Sequence, residues 1–459
     1  MSYRVRVAIV YLLGFFIDLV NMFIANVAYP EMARHFAAPV SQLAWVSNAY
    51  ILGLTLVIPL SRWWMERVGA KRLFILSLII FMASSAGVVT SQSMFHLIAW
   101  RLLQGIGGGL LIPIGQTMTY ALYRSHERAK LSSAVMLVAL LAPALAPVAG
   151  GLLIEILNWR WVFLASLPLV IVALVLAMLW LNVDKPTAEV GRLDLVGLIS
   201  GCSGLTLILL GLTSLGESQL MHQGALMLLG GLIVFGGYVW NALGKSQPLV
   251  NLHLAKDPLL QTAMLIYQFV PGAFTGVSLI AMLYLQNEFG LSAASVGALM
   301  LPWSAASFIA ISVTGKWFNM LGPRPLFIIG SITQALGIGV LATIAHPASA
   351  VLCVIAFCLM GFGGSLCSST AQSSAFLQIP DEQLADASAI WNINRQLSFC
   401  LGVTLVTLLF NLLANSSISV DRAYRLCFLL AACSAIVPVI CCLRIANRKI
   451  LFTLNQEKK

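Results

Sequence analysis

Long apolar runs recur along almost the whole chain, and nothing else in the sequence restricts its fold so tightly. A helix that crosses the hydrocarbon core of a bilayer needs about 20 mostly apolar residues, each advancing it by about 1.5 Å. Fourteen such runs can be read, near 7–28, 44–64, 73–93, 97–122, 130–157, 161–182, 193–213, 223–243, 259–285, 293–316, 325–344, 349–373, 385–413 and 424–443. Hydrophobic residues make up 60% of the 459 and charged residues 9%, too few charges to solvate the surface of a soluble domain. The expected fold class is therefore an all-α polytopic membrane protein with 14 transmembrane helices. The first run follows Arg4 and Arg6, as a signal peptide would. It is too long for an h-region and lacks an A-x-A cleavage site, so it reads as a span.

The formal net charge of +10 raises the question of nucleic acid, and the placement of the basic residues answers it. With the N-terminus inside, only Arg34, Arg160, Arg422 and Arg425 fall outside, while Arg101 and Arg395 fall within spans. The remaining Lys and Arg collect on the cytoplasmic side, the bias that orients membrane proteins, which predicts N-in/C-in topology. The charge is topological, and no nucleic-acid partner is expected. All nine cysteines lie from Cys202 onward, mostly inside apolar runs, and the six histidines sit in loops or at helix ends. Neither pattern has disulfide or metal-ligand spacing, so no metal and no cofactor are expected. The absence of clustered His, Asp or Glu within the runs argues against a membrane enzyme. The absence of a G-x-x-x-x-G-K-[ST] loop argues against a fused ATP-driven pump.

Two matches at nearly one offset reveal an internal duplication. SRWWMERVGAKRLF (61–74) aligns with TGKWFNMLGPRPLF (314–327), placing Gly69 opposite Gly322 at an offset of 253. LLQGIGGGLL (102–111) aligns with CLMGFGGSLC (358–367), placing Gly105, Gly107 and Gly108 opposite Gly361, Gly363 and Gly364 at an offset of 256. Repeats of this kind build many transporters. Six spans with short loops need fewer than about 200 residues, so the offset leaves room for two more. The expected organisation is a six-helix bundle over 1–185, two inserted spans with linkers over 186–257, and a second six-helix bundle over 258–459.

Polar residues within the spans are the candidates for chemistry. Asp18 lies near the middle of the first run, in FFIDLVNMFIANVAYP, and is the one acid expected at mid-membrane. A carboxyl group there can bind a proton and release it when its surroundings change. Asn21 shares its helix face one turn on, and Asn26 is displaced from it by roughly 80°. Arg101 and Arg395 are cations inside spans, which need a partner or water. Arg101 also admits a snorkelling explanation, being near its run's end, and Asp18 paired with Arg101 could simply lock helices together.

These motifs resemble those of the major facilitator superfamily, specifically its fourteen-helix drug:proton antiporter branch. The 61–74 loop is similar to the signature G-x-L-a-D-R-x-G-R-K, with Glu66, Arg67, Gly69, Lys71 and Arg72 on matching positions; Arg62 stands where the pattern has glycine, and Glu66 where it has aspartate. RLLQGIGG (101–108) resembles R-x-x-Q-G-x-G. LLAPALAPVAGG (140–151) resembles the exporter motif G-x-x-x-G-P-x-x-G-G, with Ala142, Ala146, Pro147, Gly150 and Gly151 matching and alanines replacing the first two glycines. NWRWVFLASLPL (158–169) and NINRQL (392–397) resemble segments common in that branch. Its first helix usually reads L-D-x-T-I-x-N-x-A-L-P, so the family aspartate falls on Asn21 and Asp18 stands one turn earlier.

The resemblance implies two pseudo-symmetric bundles that alternate access to a central cavity, and export of amphipathic small molecules coupled to protons. It implies a role in proton transfer for Arg101, while Asp18, from its own depth in the span, is the acid expected to couple protons. It implies gating for Glu66, Arg67, Gly69, Lys71, Arg72, Ala146, Pro147, Gly150 and Gly151. The cavity is expected between spans 1, 2, 4 and 5 and spans 9, 10, 12 and 13. Its expected lining is Asn21, Asn26, Trp45, Asn48, Tyr50, Gln116, Gln268, Trp303, Trp391, Asn394 and Arg395, a mixture of aromatics and amides that suits amphipathic ligands. The expected partners are a small-molecule substrate, protons and the lipids of a bacterial inner membrane, with a monomer sufficient for function. Two alternatives stand beside drug export: export of an endogenous organic anion or metal chelate bound by the arginines, and a sensor that has lost transport, which the Arg62 and alanine departures would fit.

Overall fold

The computed structural model describes residues 1–36, 40–183, 193–215, 220–245, 248–291, 293–344, 349–414 and 418–456. Among the described residues the structure is helical with no strand, as backbone groups in hydrocarbon require unless they close a barrel. In chain order the principal helices are α1 (Tyr3–Ile24), α2 (40–68), α3 (Ala70–Val89), α4 (Met94–Tyr120), α5 (Ser125–Ile156), α6 (Trp159–Trp180), α7 (Leu195–Leu215), α8 (Met221–Gly244), α9 (Pro258–Asn287), α10 (Met300–Leu321), α11 (Pro323–Thr343), α12 (Ala350–Ala375), α13 (Leu384–Ala414), α14 (Val420–Cys442) and a short α15 (Asn447–Gln456). Among the described residues, eleven helices are long and apolar enough to cross a membrane. The long helices α2, α5 and α10 occupy the second, fifth and tenth apolar runs.

Several runs are not single smooth helices. α1 ends at Ile24, and Ala25–Ala28 tighten into a 3₁₀ turn before a short helix, Tyr29–Phe36. α2 is interrupted at Ile58–Leu60, α6 at Ala165 and Ser166, α9 by a π-helical turn at Gln268–Gly272, and α14 at Ser434 and Ala435. Pro59, Pro168, Pro271 and Pro438 lie at or within four residues of these breaks. Proline removes a helical N–H and crowds the preceding turn, which accounts for their position.

The duplication is visible in three dimensions. Gly69 and Gly322 both have positive φ, 90° and 77°, and each turns the chain sharply between two helices. Glycine tolerates this conformation because it has no Cβ. A Cβ on Gly105 would strike the backbone of Tyr50, and one on Gly361 the backbone of Trp303. A Cβ on Gly107 would lie 2.8 Å from the Phe81 nitrogen and 3.0 Å from the Ser77 oxygen, and one on Gly363 would lie against Gln334 and Gly330. These contacted pairs are again 253 residues apart, so α4 crosses α2 and α3 just as α12 crosses α10 and α11.

The two halves meet chiefly where α5 packs on α10 and α12, and α4 on α13. The inserted pair α7 and α8 packs on itself and rests along α2 and α13. Its outward face is bare hydrocarbon, with Leu226, Ile233 and Trp240 72%, 67% and 84% exposed.

Because the glycine crossings leave no room for a side chain, Gly107→Ala and Gly363→Ala are each expected to destabilise the fold by about 1–3 kcal/mol. The check is the midpoint of thermal unfolding in detergent. An unchanged midpoint in both would mean that these helices can part freely.

Candidate functional site

Asp18 is fully buried on α1. One carboxylate oxygen, Oδ1, accepts a 2.5 Å hydrogen bond from the Tyr50 hydroxyl on α2. The other, Oδ2, is buried with no hydrogen-bond partner among the described residues. A Cβ on Gly108 would stand 2.5 Å from Asp18 Oδ1 and 2.7 Å from the Tyr50 oxygen, so the missing side chain on α4 is what admits the pair.

Arg101, also fully buried, lies on the far side of Tyr50, its guanidinium 4.4 Å from that ring's centroid and 5.4 Å from that of Phe163. It donates to the Val46 carbonyl at 3.0 Å, to Asn21 Oδ1 at 3.0 Å and to Gln104 Oε1 at 2.6 Å. Asn21 in turn donates to Ser166 at 2.8 Å and Gln104 to Ser85 at 2.7 Å. A buried cation is thus held by neutral oxygens and ring faces, without an ion pair to Asp18. Tyr50 connects the two.

Asp18 borders a cavity of about 270 Å³ between the halves. Met22 and Leu140 line it from the first half; Phe274, Trp303, Arg395 and Phe399 line it from the second. Trp303 stacks on Phe274 with ring centroids 5.2 Å apart. Arg395 lies over the Phe15 ring at 5.3 Å and forms no ion pair among the described residues. A largely apolar, aromatic chamber with one acid and one cation suits an amphipathic ligand.

Of the residues expected to line the cavity, Trp303 and Arg395 do so. Tyr50 and Asn21 stand behind Asp18. Gln116 instead bridges the halves below, accepting from Ser388 at 2.5 Å and Asn392 at 2.9 Å. Trp391 donates to Gln372 at 2.7 Å and packs edge-on against Tyr267. Gln268 donates to Asn394 at 2.9 Å, and Asn394 faces a different cavity, beside α7 and α8. Trp45 is 40% exposed and Asn48 half-buried, and neither borders the central chamber. The side chains of Asn26 and Pro147 lie outside the described residues. Ala146 and Gly150 are buried in α5, and a Cβ on Gly151 would meet nothing within 4 Å.

One end of the interface between the halves is sealed by charge. Arg62 donates to Asp386 at 2.5 Å, across the halves, and to Glu66 at 2.9 Å within its own helix. Asp386 also accepts from the Asn251 backbone at 3.2 Å. Arg128 donates to the Phe376 carbonyl at 2.7 Å and to Asp381 at 2.9 Å, and Asn319 donates to the His126 carbonyl at 2.7 Å. Ile450 and Leu454 of α15 are buried in the same apolar cluster as Tyr120, Phe376 and Leu377.

The expected gating set divides here. Glu66 joins the cross-half cluster through Arg62. Lys71 stays within the first half and caps the end of α6, donating to the Met178 and Leu181 carbonyls at 2.8 and 2.6 Å. Arg67 lies over the Trp63 ring at 5.0 Å, and Arg72 is exposed. Asp386, Arg128 and Asp381 were not singled out by sequence reasoning. Their one sequence signal is position: an acid opening a span and a base opening another, beside loops that the duplication makes equivalent.

Two duplicated helical bundles enclosing a chamber, with one end closed by charged and apolar contacts, are the architecture of a membrane transporter. The chain belongs to the Major Facilitator Superfamily, whose family model matches residues 11–403. It is therefore a multi-span membrane transporter and not an enzyme. It is 26% identical over 398 residues to the lincomycin resistance protein LmrB of Listeria monocytogenes, covering 86% of this chain and 84% of that protein. It is 26% identical over 411 residues to the putative multidrug resistance protein MdtD of Yersinia pestis, covering 89% and 88%. Among solved structures, the human organic anion transporter MFSD10 superposes with a TM-score of 0.70 at 14% identity, covering 96% of this chain and 100% of that one. The proton:xylose symporter XylE superposes with a TM-score of 0.67 at 14% identity, covering 96% and 95%.

If Arg62 and Asp386 hold the seam, charge reversal at either one should open it. Arg62→Asp or Asp386→Arg is expected to speed labelling of a cysteine placed at Ser388 by a water-soluble maleimide several-fold, and the double reversal is expected to restore slow labelling. Equally fast labelling in the double reversal would exclude the pair as a closing contact.

Proposed function

We propose that this protein exports amphipathic small molecules in exchange for protons, with Asp18 as the proton-carrying group. The observation that carries the proposal is the carboxyl group itself. It is buried, it borders the chamber, and only one of its two oxygens is engaged. A proton bound there removes the cost of a charge in a low-dielectric site, and a change of surroundings releases it. The drug-resistance names of the LmrB and MdtD relatives support a drug-like substrate, and the exporter-like motif in α5 supports outward direction.

In this reading the helices α1 to α14 are fourteen spans with both termini cytoplasmic in a bacterial inner membrane. Residues 1–185 and 258–459 move as bundles, with 186–257 inserted between them, and a single chain suffices. The sealed end is then the cytoplasmic one. The inward drop of a proton across the membrane, about 2.3 kcal/mol per 100 mV, drives the cycle. Arg101 fixes Tyr50 and with it the geometry of Asp18, and so acts as a positioning residue.

The test is substrate-induced proton release in proteoliposomes, native protein against Asp18→Asn. The variant is expected to bind candidate drugs and to lose drug-driven pH changes. Equal pH changes in both would remove Asp18 from the coupling.

A second reading, export of an organic anion, rests on Arg395, a cation in the chamber wall without an ion-pair partner among the described residues. Arg395→Gln separates the two: loss of anionic substrates with cationic drugs retained supports it, and an unchanged anion profile excludes it.

A further inference from the structure

The inserted pair encloses a second cavity, of about 350 Å³, that does not belong to the central chamber. Leu205, Phe235 and Tyr238 of α7 and α8 form one wall, and Met264, Ile390 and Leu397 of α9 and α13 form the other. The two cavities sit back to back on α13: Arg395 faces the central chamber and Asn394 the lateral cavity. Asn394 already accepts from Gln268, so the walls ask for an apolar occupant.

The lateral cavity reaches the surface at Leu243, 37% exposed near the end of α8, and at Lys256, also exposed. Lys245 beside this mouth is committed to Asp194 at 2.7 Å. Lys256 makes no ion pair among the described residues. Apolar walls, an unpaired cation at the mouth and a hydrocarbon-facing helix pair outside together match a membrane lipid with a negative headgroup.

The floor of the cavity connects to the seal. Leu249, Val250 and Leu252 line it. Between them Asn251 donates its backbone N–H to Asp386 Oδ1 at 3.2 Å, while the other oxygen of Asp386 accepts from Arg62. Whatever fills the cavity therefore presses on the segment that holds the seal's acid.

We infer that the lateral cavity binds an acyl chain of an anionic phospholipid, with the phosphate at Lys256, and that occupancy stabilises the Arg62–Asp386 seal. This inference concerns lipid binding and stands whether or not the chain exports drugs.

It is tested by native mass spectrometry of the full chain in detergent titrated with phosphatidylglycerol or with phosphatidylethanolamine. Native protein is expected to bind phosphatidylglycerol more tightly. Lys256→Gln is expected to weaken it about five-fold, the loss of one cation at a membrane surface, and Leu205→Trp to abolish the tight adduct by filling the cavity. Leu205→Phe carries the same test if the tryptophan variant does not fold. Hydrogen exchange over 61–68 and 384–390 is expected to slow with phosphatidylglycerol in native protein and not in Lys256→Gln. Equal affinity for the two lipids, or for native protein and Lys256→Gln, would overturn the headgroup assignment. Equal affinity in the cavity-filling variant would overturn the site. Exchange indifferent to lipid would overturn the link to the seal.

Discussion

The rest of this structure depends on how closely the backbones of α2 and α3 approach α4. Gly105 receives the Tyr50 carbonyl, Gly107 receives the turn from Ser77 to Phe81, and Gly109 receives Leu54. Within lipid there is no hydrophobic drive to bring apolar helices together, so close packing of small residues supplies much of the attraction. The approach also sets chemistry. With α2 drawn onto α4, the Tyr50 ring lies between Arg101 and Asp18, and Gly108 leaves the space in which phenol and carboxylate meet. The duplicated glycines on α12 use the same crossing to bring Trp303 to the chamber, where Gly364 is also part of the wall. One packing device, used twice, places an acid's partner on one side and an aromatic platform on the other.

The place of the acid on α1 has a physical consequence. Asn21, one turn beyond Asp18, is the residue that Arg101 grips. A carboxylate there would neutralise the buried guanidinium directly. Here the amide accepts one hydrogen bond from Arg101 and passes a donor to Ser166, so the cation is solvated by dipoles alone. The acid of this helix stands instead at Asp18, bordering the chamber that Arg395 also lines. Sharing a helical face did not make the two residues equivalent. Asn21 turns into the α4 and α6 side of the bundle, whereas Asp18 opens on the cavity.

Much of this was legible in the sequence because it rests on local or periodic features. Run length announced long membrane-crossing helices, and the glycine offsets announced the duplication, to which the structure adds the positive φ shared by Gly69 and Gly322. What escaped depends on partners far apart in the chain. Arg62 looked like a departure from a motif glycine, and its role emerges only with Asp386, 324 residues away. Gln116 had the composition of a ligand contact, yet Ser388 and Asn392 occupy it. The breaks in α2, α6, α9 and α14 had their prolines in plain view. Proline alone does not decide between a bend and a break, however: Pro113 lies inside α4 without interrupting it. The insertion read as two further spans, and its outer face is exposed hydrocarbon. The cavity behind it arises from the shape of four helices together and has no signature in any one of them.

The two buried arginines differ in how fully their hydrogen bonds are satisfied. Arg101 donates to three oxygens at 3.0 Å or less and is covered by two rings. Removing any partner would leave a buried donor unsatisfied, at a cost of about 1–3 kcal/mol, so this cluster resists rearrangement. Arg395 has ring contact and open cavity, and the second oxygen of Asp18 has no donor among the described residues. Groups with spare hydrogen-bonding capacity gain when a ligand or proton arrives, and groups already satisfied do not. A ligand can shift a conformational equilibrium only through such differential interaction. The groups with capacity to spare are therefore Asp18 and Arg395, one from each half of the duplication, whereas Arg101 is held in place by partners already satisfied.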